Sequence, residues 1–400
     1  MVHLLPSRQG RLGNDLIFAL NAEATDRSQR GEPVINATLG TLMKDDGSLA
    51  ILDTVNRVLA EVPRGEWNAY APIAGTPAFL AAVIADALAS QPALAQAATA
   101  VATPGGTGAL RHAVVNYLEP GQALLTPSLY WGPYQTLCDE HGRRLETFPM
   151  FNAAGRLDIA SLDAAMKAQL DRQGRVLLFL NDPCNNPTGY SMTRDEWRAV
   201  VATLLGHSDR PVTLLVDMAY WMYGAAEPRA FLAELVPLLG RVGLLFAWSA
   251  SKSFTSYGLR VGSLIAVVDD AERASTQAAL SYSCRGTWSN CVRGGMWAVT
   301  RLLTDAGLRV SADAERAELK ALLMRRVEAF NGAAKGTRLR YPRYEGGFFV
   351  TVFDVEPERL AERMRARGVY VVPQAEGVRV ALCGVPSTAV ARLVEVLNGR

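Results

Sequence analysis

Apolar and polar positions along the chain fall into two alternating patterns. Runs that stay largely apolar on successive residues occur at 99–103 (TAVAT), 122–126 (QALLT), 144–149, 176–180 (VLLFL), 212–216 (VTLLV), 243–248 (GLLFAW) and 261–268 (VGSLIAVV). A run without a polar face predicts a strand covered on both sides. Between the runs, apolar residues recur at helical spacing among charged ones, which predicts helices over 76–90, 107–118, 193–205, 270–280 and 311–331. Strands alternating with helices imply an α/β domain in which a seven-stranded, mostly parallel sheet lies between helices.

From about residue 340 the pattern changes. The runs FFVTVFDV, VYVVPQ and VRVALC look antiparallel and stand among helices expected at 356–367 and 386–398. The expected organisation is a large domain at 49–300 and a smaller α+β domain at 301–400. Residues 1–48 would supply an N-terminal arm and part of the small domain.

The 400 residues carry 41 Lys+Arg against 39 Asp+Glu, a formal charge of +2 that makes no strong field for nucleic acid or a membrane surface. Small molecules are therefore the expected partners. Only five of the basic residues are lysines (44, 167, 252, 320 and 335), so a lysine inside a motif stands out. The five cysteines (138, 184, 284, 291 and 383) show no CxxC spacing, so neither a disulfide framework nor a metal site is expected and a reducing cytoplasm fits. The opening MVHLLPSRQGRLGND does not read as a secretory leader, and 18 uninterrupted apolar residues occur nowhere.

Ligands of open α/β sheets gather at the carboxyl ends of strands. After 99–103 comes ThrProGlyGlyThrGly, 103–108, which opens a helix. Such glycines let backbone N–H groups approach a phosphate, although a plain tight turn has the same form. The strand 176–180 ends in AsnAspProCysAsnAsnProThrGly, 181–189, a rigid loop able to aim one amide at a ligand. Strand 212–216 ends in Asp217 with Tyr220 three residues on, a spacing that also fits a helix cap. After 243–248 comes SerAlaSerLysSerPheThrSerTyrGlyLeuArgValGly, 249–262. Lys252 stands there among small residues, where a desolvated amine acts as a nucleophile, and Arg260 can reach the same anion as Ser249 and Ser251.

These motifs, in this order, resemble the fold-type I pyridoxal-phosphate enzymes. Within them the chain, from about residue 35 to 398, is similar to the class I aminotransferases of the aspartate and aromatic type. The resemblance implies that Lys252 bonds the cofactor and moves the substrate's α-proton, and that Asp217 keeps the pyridine nitrogen protonated. Tyr220 and Asn186 would donate to the phenolic oxygen. Gly106, Thr107, Ser249, Ser251 and Arg260 match the phosphate cup, and Tyr70 in TyrAlaProIleAlaGly resembles a tyrosine that reaches a phosphate across a dimer interface. Arg379 in ValArgValAlaLeu matches the arginine that grips the α-carboxylate in a fork. Gly40 falls near the segment that closes over substrate. ArgGlyThrTrpSerAsn, 285–290, is similar to the segment whose arginine comes from the neighbouring subunit to pair with a side-chain carboxylate, with Arg293 as competitor to Arg285. The ring-stacking Pro-x-Trp is altered, because counting from Pro127 selects Leu129 whereas counting back from Gly142 selects Trp131. Trp131 is preferred, with Tyr130 second, since leucine stacks poorly. The resembling AsnProThrGly loop also implies a cis Asn186–Pro187 bond.

The implied function is a homodimeric aminotransferase with shared active sites. It would move an amino group by a ping-pong route from aspartate, glutamate or an aromatic amino acid to a 2-oxo acid such as 2-oxoglutarate. A lyase or decarboxylase would use the same lysine, acid and cup. A non-catalytic PLP-binding regulator fits less well with an intact Arg379 and no DNA-binding module before residue 35. A nicotinamide dehydrogenase is disfavoured because no GxGxxG follows the first strand.

Overall fold

Each of the seven apolar runs forms a strand of one sheet in the computed structural model, which describes residues 3–9, 11 and 16–399. Residues 1, 2, 10, 12–15 and 400 lie outside the described residues, and with them part of the expected N-terminal arm and of the chain opening read for a leader. A two-residue strand comes first, β1 (Ile35–Asn36). The runs follow as β2 (Ala98–Pro104), β3 (Ala123–Pro127), β4 (Arg144–Phe148), β5 (Val176–Asn181), β6 (Val212–Asp217), β7 (Gly243–Ser249) and β8 (Val261–Val267).

Their order is β2-β8-β7-β6-β5-β3-β4, parallel except that β8 runs antiparallel to both neighbours. Side chains alternate across a sheet. In β7, Leu244, Phe246 and Trp248 enter one core while Leu245 and Ala247 enter the other, together with Ala109, Leu110 and Ala113 of the helix Gly105–Tyr117 and Leu280 of the helix Asp270–Thr287. Both faces are covered, which is why these runs tolerate so few polar residues. Each fully buried side chain such as Phe246 contributes about 1.5–3 kcal/mol.

Register brings the chemistry to one edge. Asn181 lies opposite Asp217, Ser249 opposite Gly262 and Pro104 opposite Val261, so the loops after β2, β5, β6 and β7 and the residues entering β8 open at the same end of the sheet. Gly262 is required here, since a Cβ would stand 2.5 Å from the Gly105 backbone.

A second apolar core is built from Val350 and Val352 of β9 (Val350–Phe353), Val369 of β10 (Val369–Tyr370), Val378 and Val380 of β12 (Gly377–Val380), and the helices Pro357–Ala366 and Val390–Leu397. The run VYVVPQ does not form one strand. The carbonyls of Gly368 and Tyr370 accept from Ile35 N and Ala37 N, so β10 pairs in parallel with β1, while β11 (Val372–Gln374) pairs antiparallel with β12. The expected helix 311–331 is longer, Ala306–Ala334, and its start is capped by the Asp305 carboxylate on Leu308 N at 3.0 Å. At 29 residues it spans roughly 44 Å. Ala312, Leu319 and Leu323 lie in the large core and Val327, Phe330 and Ala334 in the small one, so this helix bridges the two. The helix expected at 270–280 likewise runs on to Thr287, because buried Leu280 and Cys284 keep helical spacing through a stretch of small polar residues.

Candidate active site

Gly106, Thr107, Trp131, Asn186, Asp217, Tyr220, Ser249, Ser251, Lys252 and Arg260 line one cavity of about 210 Å³ at the carboxyl edge of the sheet. Gly40, Tyr70, Arg285 and Arg379 do not line it.

At one end stands an anion-binding group. The helix Gly105–Tyr117 begins there, and its first N–H groups have no intrahelical partner. Ser249 Oγ accepts from Ser251 N at 3.1 Å, ordering the turn that carries Lys252. Arg260 Nη1 donates to Ser251 Oγ at 3.2 Å and Nη2 to Pro104 O at 3.0 Å, so the guanidinium is held beside the helix start. Gly105 has φ +69°, and a Cβ there would meet that guanidinium at 2.3 Å. Only glycine fits.

At the other end stands Asp217. Its Oδ2 accepts from Tyr134 Oη at 2.7 Å and its Oδ1 from Ala219 N at 3.1 Å. Burial raises the Asp217 pKa, and the Tyr134 hydroxyl, Ala219 N–H and Lys252 oppose that shift. Asn181 Nδ2 donates to Asp217 O at 2.8 Å, and Asn181 Oδ1 accepts from Asn186 N at 2.7 Å, which fastens the 181–186 loop to β6. That turn delivers the Asn186 side chain without the expected cis bond: the cis peptide is Asp182–Pro183 and Asn186–Pro187 is trans.

Lys252 lies between these ends. Burial lowers its pKa, Asp217 opposes the shift and Arg260 adds to it, so the amine is easier to deprotonate than a surface lysine. Its Nζ is 5.3 Å from the Tyr220 ring centre, and Tyr220 Oη accepts from Asn186 Nδ2 at 3.4 Å. Leu129 is buried in the large core, whereas Trp131 reaches the cavity. Tyr130 stacks against Tyr134 instead, 6.3 Å between centroids.

Four residues of this site escaped the sequence reading. Leu110 and Asn181 line the cavity, as does Ala219, and Tyr134 holds Asp217. Helical spacing carried a signal for one of them: Leu110 is three residues after Thr107 on the helix Gly105–Tyr117, whereas Trp131 stands before the helix that holds Tyr134.

The remaining expected residues are placed elsewhere. Arg379 is buried on β12, donating to Thr38 O at 2.6 Å. Tyr70 is 84% exposed. Arg285 is exposed at the end of the helix Asp270–Thr287 and donates to Ser289 Oγ at 2.7 Å. Arg293 makes a fork on Glu66, 2.7 and 3.0 Å, and donates to Tyr70 O at 3.1 Å.

Pyridoxal phosphate fits this donor set. A guanidinium and a helix start suit a phosphate, a buried carboxylate at the far end suits a protonated ring nitrogen, and a deprotonatable amine lies between. Asn186 Oδ1 is buried and has no partner among the described residues; with the amide's oxygen and nitrogen exchanged, that unpaired end becomes a donor facing the cavity.

Residues 34–397 match the family described as Aminotransferase class I and II. The aromatic-amino-acid aminotransferase of Pseudomonas aeruginosa is 30% identical over 319 residues, 76% of this chain and 75% of that protein. A crystal structure of an aminotransferase from Anaerococcus prevotii is 32% identical with a TM-score of 0.95, covering 100% of this chain and 99% of that one. An aromatic-amino-acid aminotransferase from Burkholderia pseudomallei, covalently bound to pyridoxal phosphate, shares the fold at 23% identity and a TM-score of 0.81, with 99% of each chain covered.

Proposed function

The chain belongs to the class I and II aminotransferases, enzymes that move an amino group with pyridoxal phosphate as cofactor, and on that footing we propose how its residues divide the work. When bound, the cofactor supplies an aldehyde carbon that takes the amino group and a ring that draws electrons from the α-carbon. Arg260, Ser249, Ser251, Thr107 and the backbone of Gly106 hold the phosphate. Asp217 keeps a proton on the ring nitrogen, Trp131 covers the ring face, and Asn186 and Tyr220 donate to the phenolic oxygen. Lys252 would carry the cofactor between turnovers, and its amine would take the proton from the α-carbon and return it to the cofactor carbon on the far side of the amino nitrogen.

Arg379 grips the substrate carboxylate, and the Thr38–Gly40 segment excludes water above it. Amino donors are aromatic or acidic, and the acceptor is a 2-oxo acid such as 2-oxoglutarate. Aromatic donors are favoured by the name of the Pseudomonas relative, acidic ones by Arg285. The working unit is a homodimer in which Tyr70 of one subunit reaches the phosphate of the other and Arg285 reads the substrate side chain. Arg293 is withdrawn from that role by its fork on Glu66. A small domain containing β9–β12, and a cytoplasmic location matching five free cysteines, complete the proposal. Among the described residues no helix is long and apolar enough to cross a membrane.

The observation that carries this reading is the single cavity that gathers Lys252, Asp217, Asn186 and Arg260. The test is a half-reaction. An amino donor added alone to the holoenzyme should yield pyridoxamine phosphate and oxo acid in equal amounts to the protein. Release of carbon dioxide or ammonia with the aldehyde cofactor retained would favour the decarboxylase or lyase instead.

A further inference from the structure

We propose that Tyr134 is a positioning residue that braces two walls of the cavity at once, its hydroxyl fixing the Asp217 carboxylate and its ring fixing Trp131. The proposal rests on the roles given above to Asp217 and Trp131.

The geometry is that of a bracket. Tyr134 is 1% exposed at the start of the helix Pro133–Glu140, which Pro133 opens directly after the 127–131 loop. Its N–H donates to Trp131 O at 2.9 Å, closing the turn that carries the indole. The two rings meet edge to face, 5.8 Å between centroids at 89°. A second edge-to-face contact is made with Phe179 of β5, 5.3 Å away at 83°, so the tyrosine ring packs on both the indole and the sheet. From there its hydroxyl reaches Asp217 Oδ2. A carboxylate offers about four acceptor positions. Tyr134 and Ala219 take one on each oxygen, which fixes the plane of the group and leaves the remaining lone pairs directed by that plane.

A neutral hydroxyl can donate to a carboxylate without removing its charge. Burial keeps Tyr134 protonated well above the usual tyrosine range, so it donates at every working pH. The donated bond favours the ionised carboxylate, which is the form that can hold a protonated ring nitrogen. Without the hydroxyl, Asp217 takes up a proton at a higher pH.

The test is cofactor binding to the full-length apoprotein, followed by cofactor absorbance and fluorescence from pH 5 to 8. In the wild type, affinity for pyridoxal phosphate should fall on the acid side as Asp217 is protonated. Tyr134→Phe should move that acid limb upward by about one pH unit, with the smallest loss at pH 8. With Asp217→Asn in the background, Tyr134→Phe should produce no shift. Tyr134→Leu, which also removes the ring, should reduce the visible circular dichroism of the bound cofactor where Tyr134→Phe preserves it. An acid limb in Tyr134→Phe that coincides with the wild type, a loss of affinity equal at every pH, or equal dichroism in the Phe and Leu variants would overturn the proposal. A wild-type apoprotein that fails to bind pyridoxal phosphate would instead bring down the reading of the cavity on which it rests.

Discussion

The guanidinium carbon of Arg379 lies 4.6 Å from the centre of the Phe349 ring, and the Cζ tip of that ring is closed by Gly40, where a Cβ would stand 2.5 Å from it. Phe349 is 1% exposed and also packs on Tyr220, 5.5 Å between centroids, so it has nowhere to retreat. The N-terminal segment, the arginine proposed to grip the substrate carboxylate and the cavity wall thus share one aromatic ring. Gly40→Ala is expected to displace that ring and with it Arg379. The KM for amino donors should rise about tenfold, ~1.4 kcal/mol, with kcat little changed. An unchanged KM in a folded variant would mean that Phe349 does not set the arginine's position.

Lys252→Ala should lower transamination by at least about a hundredfold while the protein stays folded and still binds pyridoxal phosphate. On the roles proposed for these cavity residues, binding is distributed over the helix start, Ser249, Ser251, Arg260 and Asp217, whereas proton transfer depends on the one amine. Steady-state turnover, with cofactor content measured by absorbance, decides this. Substantial turnover in the alanine variant would remove Lys252 from the chemistry.

The sheet and most of the cavity were legible because both depend on local signals. Apolar runs with no wet face mark buried strands, and their polar ends mark the loops: Asn181, Asp217 and Ser249 each close a strand. What was hidden depends on distance along the chain. Tyr134 meets Asp217 across 83 residues, and no periodicity shows where the helix Pro133–Glu140 will lean. Arg293 competed with Arg285 in the sequence because Glu66, which engages it, is 227 residues away. The choice between Leu129 and Trp131 needed the turn that buries the first in the core and turns the second to the cavity. The cis bond expected at Asn186–Pro187 stands instead at Asp182–Pro183, the other proline of the same loop.

Asp182 gives a pH dependence outside the reaction. It is buried, and burial pushes its carboxyl up to about 7, against the bonds it accepts from Met192 N at 2.7 Å and Trp197 Nε1 at 3.0 Å. In the unfolded chain the group titrates near 4. The folded state therefore binds the extra proton between about pH 4 and 7, and stability falls as pH rises through that window by up to about 1.4 kcal/mol per pH unit. Asp182→Asn loses an acceptor and should be less stable than wild type at pH 5. The gap in unfolding free energy, measured by urea denaturation, should narrow towards pH 8. A gap that stays constant across the window would show that Asp182 is ionised in the folded protein throughout.

Specificity depends on whether Arg285 meets the substrate of a neighbouring subunit. In one chain its side chain is exposed and, among the described residues, meets the neutral Ser289 hydroxyl and no carboxylate, so it is available to a carboxylate brought near it. Arg293 is not, because leaving the Glu66 fork would break two charge-assisted bonds. A guanidinium desolvated at a subunit boundary favours a dicarboxylic substrate and is costly opposite a neutral ring unless it swings back to solvent. Arg285→Leu should therefore lower kcat/KM for aspartate or glutamate by on the order of a hundredfold more than for phenylalanine or tyrosine, about 2.7 kcal/mol. Arg293→Leu should instead act on both classes alike, through the loss of its hold on Glu66 and the Tyr70 backbone. Equal losses for the two substrate classes in Arg285→Leu would remove this residue from side-chain reading. The enzyme would then lack an acidic-substrate pocket built on either arginine.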